Sequence, residues 1–383
     1  MVAECLFWIA AGLLIYIYAG YPLLCWLLGL ILRRGFPGVA PAEENLPRVS
    51  IVTAAHNEAA HIAATIENKL ALDYPADRLE IVIVSDASTD ETDAIVGRYA
   101  GRGVRLVRQD PRAGKTSGLN LAIPQTTGSI IAFADANSLW ARDALRHLVA
   151  PFADDRVGYV TGRMLYRAAD GSLTGEGCTA YMRYENRLRE WETRIGSIVG
   201  VDGGIDAVRR ELYVPMRPDQ LPDFVLPLTV RGGGKRVVYA PRARLHEEAL
   251  KTPDDEFSMR VRVTLRAWHA LRDKAALLSP LRYGLFAWQL FSHKLLRYLG
   301  AFLQIAVFAA NLALLTSGPE WMAFFLVQVI FYAAAWFGHL TQGRAHSWPI
   351  LFPYYICLIN TASFVAFILF LRGKKQVVWS PRT

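Results

Sequence analysis

Residues 128–140, GSIIAFADANSLW, decide the fold. A continuous apolar run ends abruptly on Asp135, Ala136 and Asn137, which predicts a strand buried on both faces that opens onto a carboxylate and an amide two residues apart. The same pattern recurs upstream. VSIVTA (49–54) leads into AHNE, LEIVIVSD (79–86) into ASTDET, and GVRLVRQ (103–109) into a glycine-containing loop. Helical patterns follow each strand: from Ala59 to Leu72, then TDETDAIVGRYA, TSGLNLAIPQ and ARDALRHLVAPF. Strands alternating with helices predict an α/β domain built on a mainly parallel sheet covered on both faces. Ligands of such sheets bind beyond the carboxyl ends of the strands, which places His56, Asn57, Glu58, Asp86, Asp90 and Asp135 on one rim.

Acids gathered on one rim repel one another unless something neutralises them. A divalent cation bridging phosphate oxygens does so, and magnesium or manganese needs only one or two protein oxygens when phosphate and water complete its shell. Asp135 and Asn137 offer two such oxygens. Loop and capping roles explain Asp, Asn, Asp86 and Asp90 equally well at this level.

The chain has 383 residues, 53% of them hydrophobic, and a formal net charge of +8. That apolar excess is concentrated. Leu6 to Leu32 carries no charge and exceeds the ~20 residues that cross a bilayer. It ends on Arg33 and Arg34, which the positive-inside tendency places in the cytoplasm, and it lacks the layout of a cleaved signal peptide. A second apolar region, about Leu295 to Leu371, splits at TSGPE and TQGRAHSWP into three candidate spans. Before it, PLRYGLFAWQLFSHKLLRYLG mixes aromatic residues with Arg282, Lys294 and Arg297, as an interfacial helix does. One span before the domain and three after it leave the basic tail RGKKQVVWSPRT outside, against the charge rule; either one segment is re-entrant or interfacial, or the tail breaks the rule. Cys5, Cys25, Cys178 and Cys357 show neither zinc spacing nor a disulfide framework. Basic residues flank the spans, so anionic lipid headgroups account for the charge without nucleic acid. The expected layout is a transmembrane helix at 1–34, a linker at 35–46, a cytoplasmic domain at 47–255, amphipathic helices at 256–296, about three transmembrane helices at 297–372 and a basic tail at 373–383.

TAAHNE, VSDASTDET, RAGKTSGLN and FADAN arrive in order, each where a predicted strand ends or the next helix begins. Over about residues 48 to 270 the chain resembles the family 2 glycosyltransferases, the membrane-bound inverting group that includes synthases of cellulose, hyaluronan, chitin and poly-N-acetylglucosamine as well as ceramide glucosyltransferases. The resemblance implies a GT-A, Rossmann-like nucleotide-diphospho-sugar transferase domain with flanking transmembrane helices, seated in a bacterial inner membrane. It implies that His56, Glu58 and Asp86 hold the nucleoside of a nucleotide sugar, expected to be a UDP-sugar, with Lys115 and Asn120 near nucleotide and sugar. Asp135 and Asn137 would meet Mg2+ or Mn2+ and the diphosphate, and His246, beside Glu247, would add a metal ligand.

Attack on an anomeric carbon by a hydroxyl needs a carboxylate base within hydrogen-bond reach. Relatives carry an acidic pair before an apolar helix; here LPDFVLPLTV offers Asp223, with Pro222 in place of the first acid. An N-cap role is the alternative for Asp223. In GVDGGIDAVRR, Gly203 and Gly204 would line the acceptor channel, although turn geometry explains them too. The family's Gln-x-x-Arg-Trp motif is altered to MRVRVTLRAWHAL. Arg262 and Trp268 would serve the acceptor there, and Arg266 the leaving diphosphate, while a basic interfacial helix is the other reading. The resulting expectation is transfer from a nucleotide sugar to a growing polysaccharide with β-linkage, export partner unspecified. Single-sugar transfer to a membrane lipid is the alternative, and an inactive nucleotide sensor or scaffold the alternative of another class.

Overall fold

A computed structural model describes residues 1–35, 42–167, 173–248, 252–341 and 347–377. The chain divides into two compact units. Met1–Leu28, Tyr166–Tyr184 and Glu248–Lys374 make up one; Gly29–Leu165, Glu185–Glu247 and the residues from Lys375 make up the other.

The second unit is an α/β domain on an eight-stranded sheet. Its strands are β1 (Val49–Ala55), β2 (Leu79–Asp86), β3 (Val104–Gln109), β4 (Ile130–Asp135), β5 (Leu139–Trp140), β6 (Val157–Arg167), β7 (Ile205–Arg209) and β8 (Arg236–Glu248), in the order β3-β2-β1-β4-β7-β6-β8-β5. β1, β2, β3 and β4 run parallel, as their continuous apolar runs predict. Beyond β4 the sheet turns antiparallel, through β4 with β7, β7 with β6, and β5 with β8. The sheet is therefore mixed rather than mainly parallel: the helices that follow β5, β6 and β7 return the chain in the opposite direction instead of making parallel crossovers.

Register fixes the rim. Ala55 pairs with Ser85 across β1 and β2, and Ala54 with Asp135 across β1 and β4, so the ends of three strands are level. Helix Ile62–Leu70 covers one face by burying Ile62 and Ile66 against Ile81, Ile83, Ile95 and Val104. These are positions i and i+4 of a helical stripe. Lys69 lies on that same stripe and is fully buried.

The other unit is apolar and helical. Among the described residues three helices are long and apolar enough to cross a membrane: Val2–Leu32, Pro319–Leu340 and Trp348–Leu371. The segment expected to supply the first of three carboxyl-terminal spans is instead a bent pair, Leu285–Leu296 and Gly300–Leu314, turned by 64°. Much of the stretch expected to lie as an amphipathic interfacial helix is the first arm of that pair. Phe7 and Ala10 pack with Val307, Ala310, Leu314 and Trp321. Some polar groups within the unit pair with one another: Tyr18 donates to Asn360 at 3.1 Å, and buried Glu256 accepts through one oxygen from Arg260 at 2.8 Å and from Tyr355 at 2.7 Å. Of the linker expected at 35–46, residues 36–41 lie outside the described residues. The basic tail is described as far as Val377.

Candidate functional site

Three loops at the carboxyl ends of the parallel strands interlock. After β1, Asn57 adopts a left-handed conformation (φ 54°) and its side-chain oxygen accepts the Thr89 amide at 2.8 Å. After β2, Ala87 is also left-handed (φ 51°). His56 Nδ1 lies 2.7 Å from the carbonyl of Asp86, and Glu58 donates its amide to the Thr92 hydroxyl at 2.9 Å. Asp90 accepts from the Ala59 and Thr92 amides, both at 3.0 Å, so it stitches the first two loops together. Left-handed non-glycine residues cost energy and gather where a loop must aim groups at something.

Asp86, expected to hold a nucleoside, is buried with its oxygens taken by the next loop. Oδ1 accepts from Ala113 at 2.8 Å, Oδ2 from Gly114 at 3.0 Å, and Gln109 donates from the side. Its direct work in this structure is to shape residues 113–114. Asn120 is likewise engaged away from the rim: it donates to the Met216 carbonyl at 2.6 Å and accepts from the Tyr213 hydroxyl at 2.7 Å. Thr116 adds a bond to the Gln220 carbonyl at 2.8 Å. Helix Lys115–Ala122 thus pins the loop that delivers helix Pro222–Gly232.

That second helix begins with Pro222 and Asp223 in its first turn, and Leu221 is its N-cap. Proline is favoured at the first helical position, so Pro222 in place of an acid has a local physical reason, and Asp223 gains from the positive end of the helix rather than capping it. Its carboxylate rests against Gly203, whose φ is +87° and where a methyl group would collide with Asp223 Oδ2. The approach to Gly203 is rigid, because Arg189 grips the preceding Asp202 with two bonds of 2.5 and 2.6 Å, all buried. Gly204, expected beside an acceptor, is instead packed: a methyl there would meet Leu245 and Ser138 at 3.0 Å, and its carbonyl accepts from Trp140 Nε1.

Between the two helices and the sheet lies a small cleft, lined by Lys115, Phe133, Tyr159, Gly203, Asp206 and Asp223 among others. Lys115 reaches across to Asp135 with a bond of 2.6 Å. Burial alone would lower the Lys115 amine, but Asp135, Asp223 and Asp206 together raise its pKa, so it stays a cation. Asp206 is the residue that sequence reading missed. It sits in β7 opposite Phe133 and Thr161, is 1% exposed, and burial, eased by Thr161 and reinforced by the charge of Asp223, pushes its carboxyl up to about 8. An acid interrupting the buried strand IDAVR was the available signal.

The loop 135–138 is supported from behind. Buried Lys69 donates to the Ser138 carbonyl at 2.7 Å and lies over the Trp140 ring, and burial depresses its pKa to about 7 despite Asp135. Asn137 donates to Glu247 at 3.5 Å, a weak contact, and His246 pairs across strands with Leu139. Among the described residues no three His, Cys, Asp or Glu side chains converge as a metal cage. The donors present, the Asp135 carboxylate and the Asn137 amide, fit only a hard cation that takes most of its shell from phosphate and water. Arg262, Arg266 and Trp268 belong to helix Pro253–Asp273 of the apolar unit. Trp268, expected to face a sugar, is 6% exposed and packed on Tyr298, Phe367 and Phe370, because an indole among apolar helices buries its rings there.

The sheet order, the rim and the cleft define a GT-A, Rossmann-like fold of the nucleotide-sugar transferase kind. The family described as Glycosyl transferase family 2 matches residues 50–213. A β-monoglucosyldiacylglycerol synthase from Nostoc sp. is 34% identical over 188 residues, covering 48% of this chain and 40% of that protein. A poly-β-1,6-N-acetyl-D-glucosamine synthase from Staphylococcus aureus is 24% identical over 173 residues, covering 45% and 42%. The chain thus matches about two fifths of the length of these relatives. Among solved structures, a mannosyltransferase from Pyrobaculum calidifontis, in complex with GDP-Man and Mn2+, superposes with a TM-score of 0.74 at 25% identity, over 96% of this chain and 99% of that one.

Two outcomes test this geometry. Gly203→Ala forces a left-handed alanine against Asp223 and is expected to lower stability by about 1–3 kcal/mol, seen as a lower thermal midpoint of the purified protein. From about pH 4 to pH 8 the unfolded chain sheds the Asp206 proton that the folded chain keeps, so stability falls as pH rises through that window. Asp206→Asn should flatten that slope, by at most ~1.4 kcal/mol per pH unit, in midpoints recorded from pH 4 to pH 8.

Proposed function

We propose that the protein is an inverting glycosyltransferase that moves a sugar from a nucleotide-sugar donor to a hydroxyl of a membrane-held acceptor. The observation that carries this reading is the convergence of Lys115, Asp206 and Asp223 on one cleft, with Asp135 bonded to Lys115, at the carboxyl ends of the strands. Asp223 takes the proton of the acceptor hydroxyl, the hydroxyl oxygen bonds to the anomeric carbon, and the bond to the diphosphate breaks with its electron pair leaving on the nucleotide. Attack opposite the leaving group turns an α-linked donor into a β-linked product. Lys115 keeps positive charge beside the diphosphate and holds Asp135 in place. A Mg2+ or Mn2+ ion, held by Asp135 and Asn137 when bound, supplies charge neutralisation for the same diphosphate. His56 and Glu58 remain candidates for the nucleoside; Asp86 acts there through the loop it shapes.

For the acceptor, the 33–34% identity to β-monoglucosyldiacylglycerol synthases favours a single sugar placed on a membrane lipid. The polysaccharide reading stands second and is favoured by the poly-β-1,6-N-acetyl-D-glucosamine synthase at 24%. The α/β unit ends at Glu247 and resumes at Lys375, where Lys375 bonds Asp219 at 2.7 Å. A chain that leaves one side of a bilayer and returns to it crosses an even number of times. Pro319–Leu340 and Trp348–Leu371 supply two crossings, the bent pair enters without traversing, and the basic tail lies with the α/β domain on the cytoplasmic side.

Nucleotide release from a panel of UDP- and GDP-sugars with Mn2+ and extracted lipid tests the activity. Asp223→Asn is expected to lower kcat by roughly 10²–10⁴-fold while nucleotide affinity, read by calorimetry, stays within a factor of about three; unchanged kcat would remove the assigned base. Product mass decides between one added sugar and a polymer. For the topology, a reporter active only in the cytosol, joined after Thr383 through a flexible linker, should be active; an inactive one would require an odd number of crossings after the α/β domain.

A further inference from the structure

Asp206 is a carboxyl on the inner face of a central strand, where an ionisable group is costly unless something pairs with it. Its side chain shares that face with Phe133 and Thr161, its partners across β4 and β6. The groups that face it are Tyr159 and Thr161 on β6, Lys115 on its helix, Asp223 on the helix opposite, and Asp202 in the loop before β7. The hydroxyls of Tyr159 and Thr161 lie beside it, yet neither carboxyl oxygen has a partner of good hydrogen-bond geometry among the described residues. Buried polar atoms left in that condition at the wall of a cavity point to a ligand that completes them.

The position of the cavity says which ligand. Lys115, bonded to Asp135, and Asp223 both line it beside Asp206. If the first pair attends the diphosphate and Asp223 the acceptor hydroxyl, the group between them is the sugar being transferred. We propose that Asp206 is a specificity-determining residue that hydrogen-bonds a hydroxyl of the donor's sugar ring from the floor of this cleft. The proposal rests on the transferase reading above. A carboxyl that keeps its proton can donate to that hydroxyl as well as accept from it, so a ring lacking the hydroxyl leaves a buried polar group unmatched.

The test uses the full chain and the nucleotide sugar it turns over best, together with that donor's monodeoxy analogues. For one deoxy position, wild type should lose about 10- to 100-fold in kcat/KM. Asp206→Ala should bring the ratio of parent to that analogue within about threefold, and Asp206→Asn, which retains a donor and an acceptor, should restore most of the preference. Nucleoside diphosphate affinity equal to wild type shows that the alanine variant is folded; if it is not, Asp206→Ser is judged by the same ratio. A parent-to-deoxy ratio unchanged by the substitution at every ring position, with only the overall rate reduced, overturns the inference alone and leaves Asp206 a buried structural acid. Wild-type protein that releases nucleotide from no donor overturns this inference and the transferase reading together.

Discussion

The attraction between the Lys115 ammonium and the Asp135 carboxylate holds the cleft together. Asp135, Asp206 and Asp223 come from a strand end, a strand centre and a helix start; Asp206 keeps its proton, and the repulsion between the other two would otherwise drive them apart. A lysine at the first position of helix Lys115–Ala122 meets all three, bonding one at 2.6 Å. The helix itself is placed by Asp86, which organises the loop before it, and by Thr116 and Asn120, which tie it to the segment ahead of Asp223. Residues that look like ligand contacts in the sequence therefore do a prior job: they set the distance between two charged groups that no single element carries.

Much of this was legible in the residues. The apolar runs ending in His56, Asp86 and Asp135 specify parallel strands with level ends, because a strand buried on both faces has no other way to finish than in polar groups at a loop. Asp223 was legible as an acid beginning an apolar helix, and the structure adds why a proline precedes it. What escaped was set by contacts distant in sequence. Nothing near Asp206 indicates that Lys115 and Asp223 face it, and a lone acid in IDAVR passes for a half-exposed strand position. Asn120 and Trp268 carry the right chemistry for ligands, but their partners, Met216 and Tyr213 for one and the rings of Phe367 and Phe370 for the other, come from elements whose approach no local pattern reveals. Lys69 offered a clearer hint, a cation two turns after Ile62 on the apolar stripe of its helix.

The helical unit shows the limits of length as a criterion. A continuous apolar stretch from Leu295 onward counts as three spans by hydropathy, yet chain direction changes by 64° between Leu296 and Gly300. Gly300 marks the second arm's start, where a methyl would meet the Asn360 amide oxygen at 2.5 Å, so close approach of two helices, rather than hydrophobic length, governs the segment. Glu256, Arg260 and Tyr355 make the same point, since one carboxylate oxygen of buried Glu256 takes both the guanidinium and the hydroxyl.

Val377 bears on the turn ahead of Lys115. Its carbonyl oxygen lies 2.6 Å from where a methyl on Gly114 would stand, so Val377 braces the very turn that Asp86 shapes. A substitution that enlarges Gly114 or shifts Val377 would therefore press on that turn, although neither residue lines the cleft.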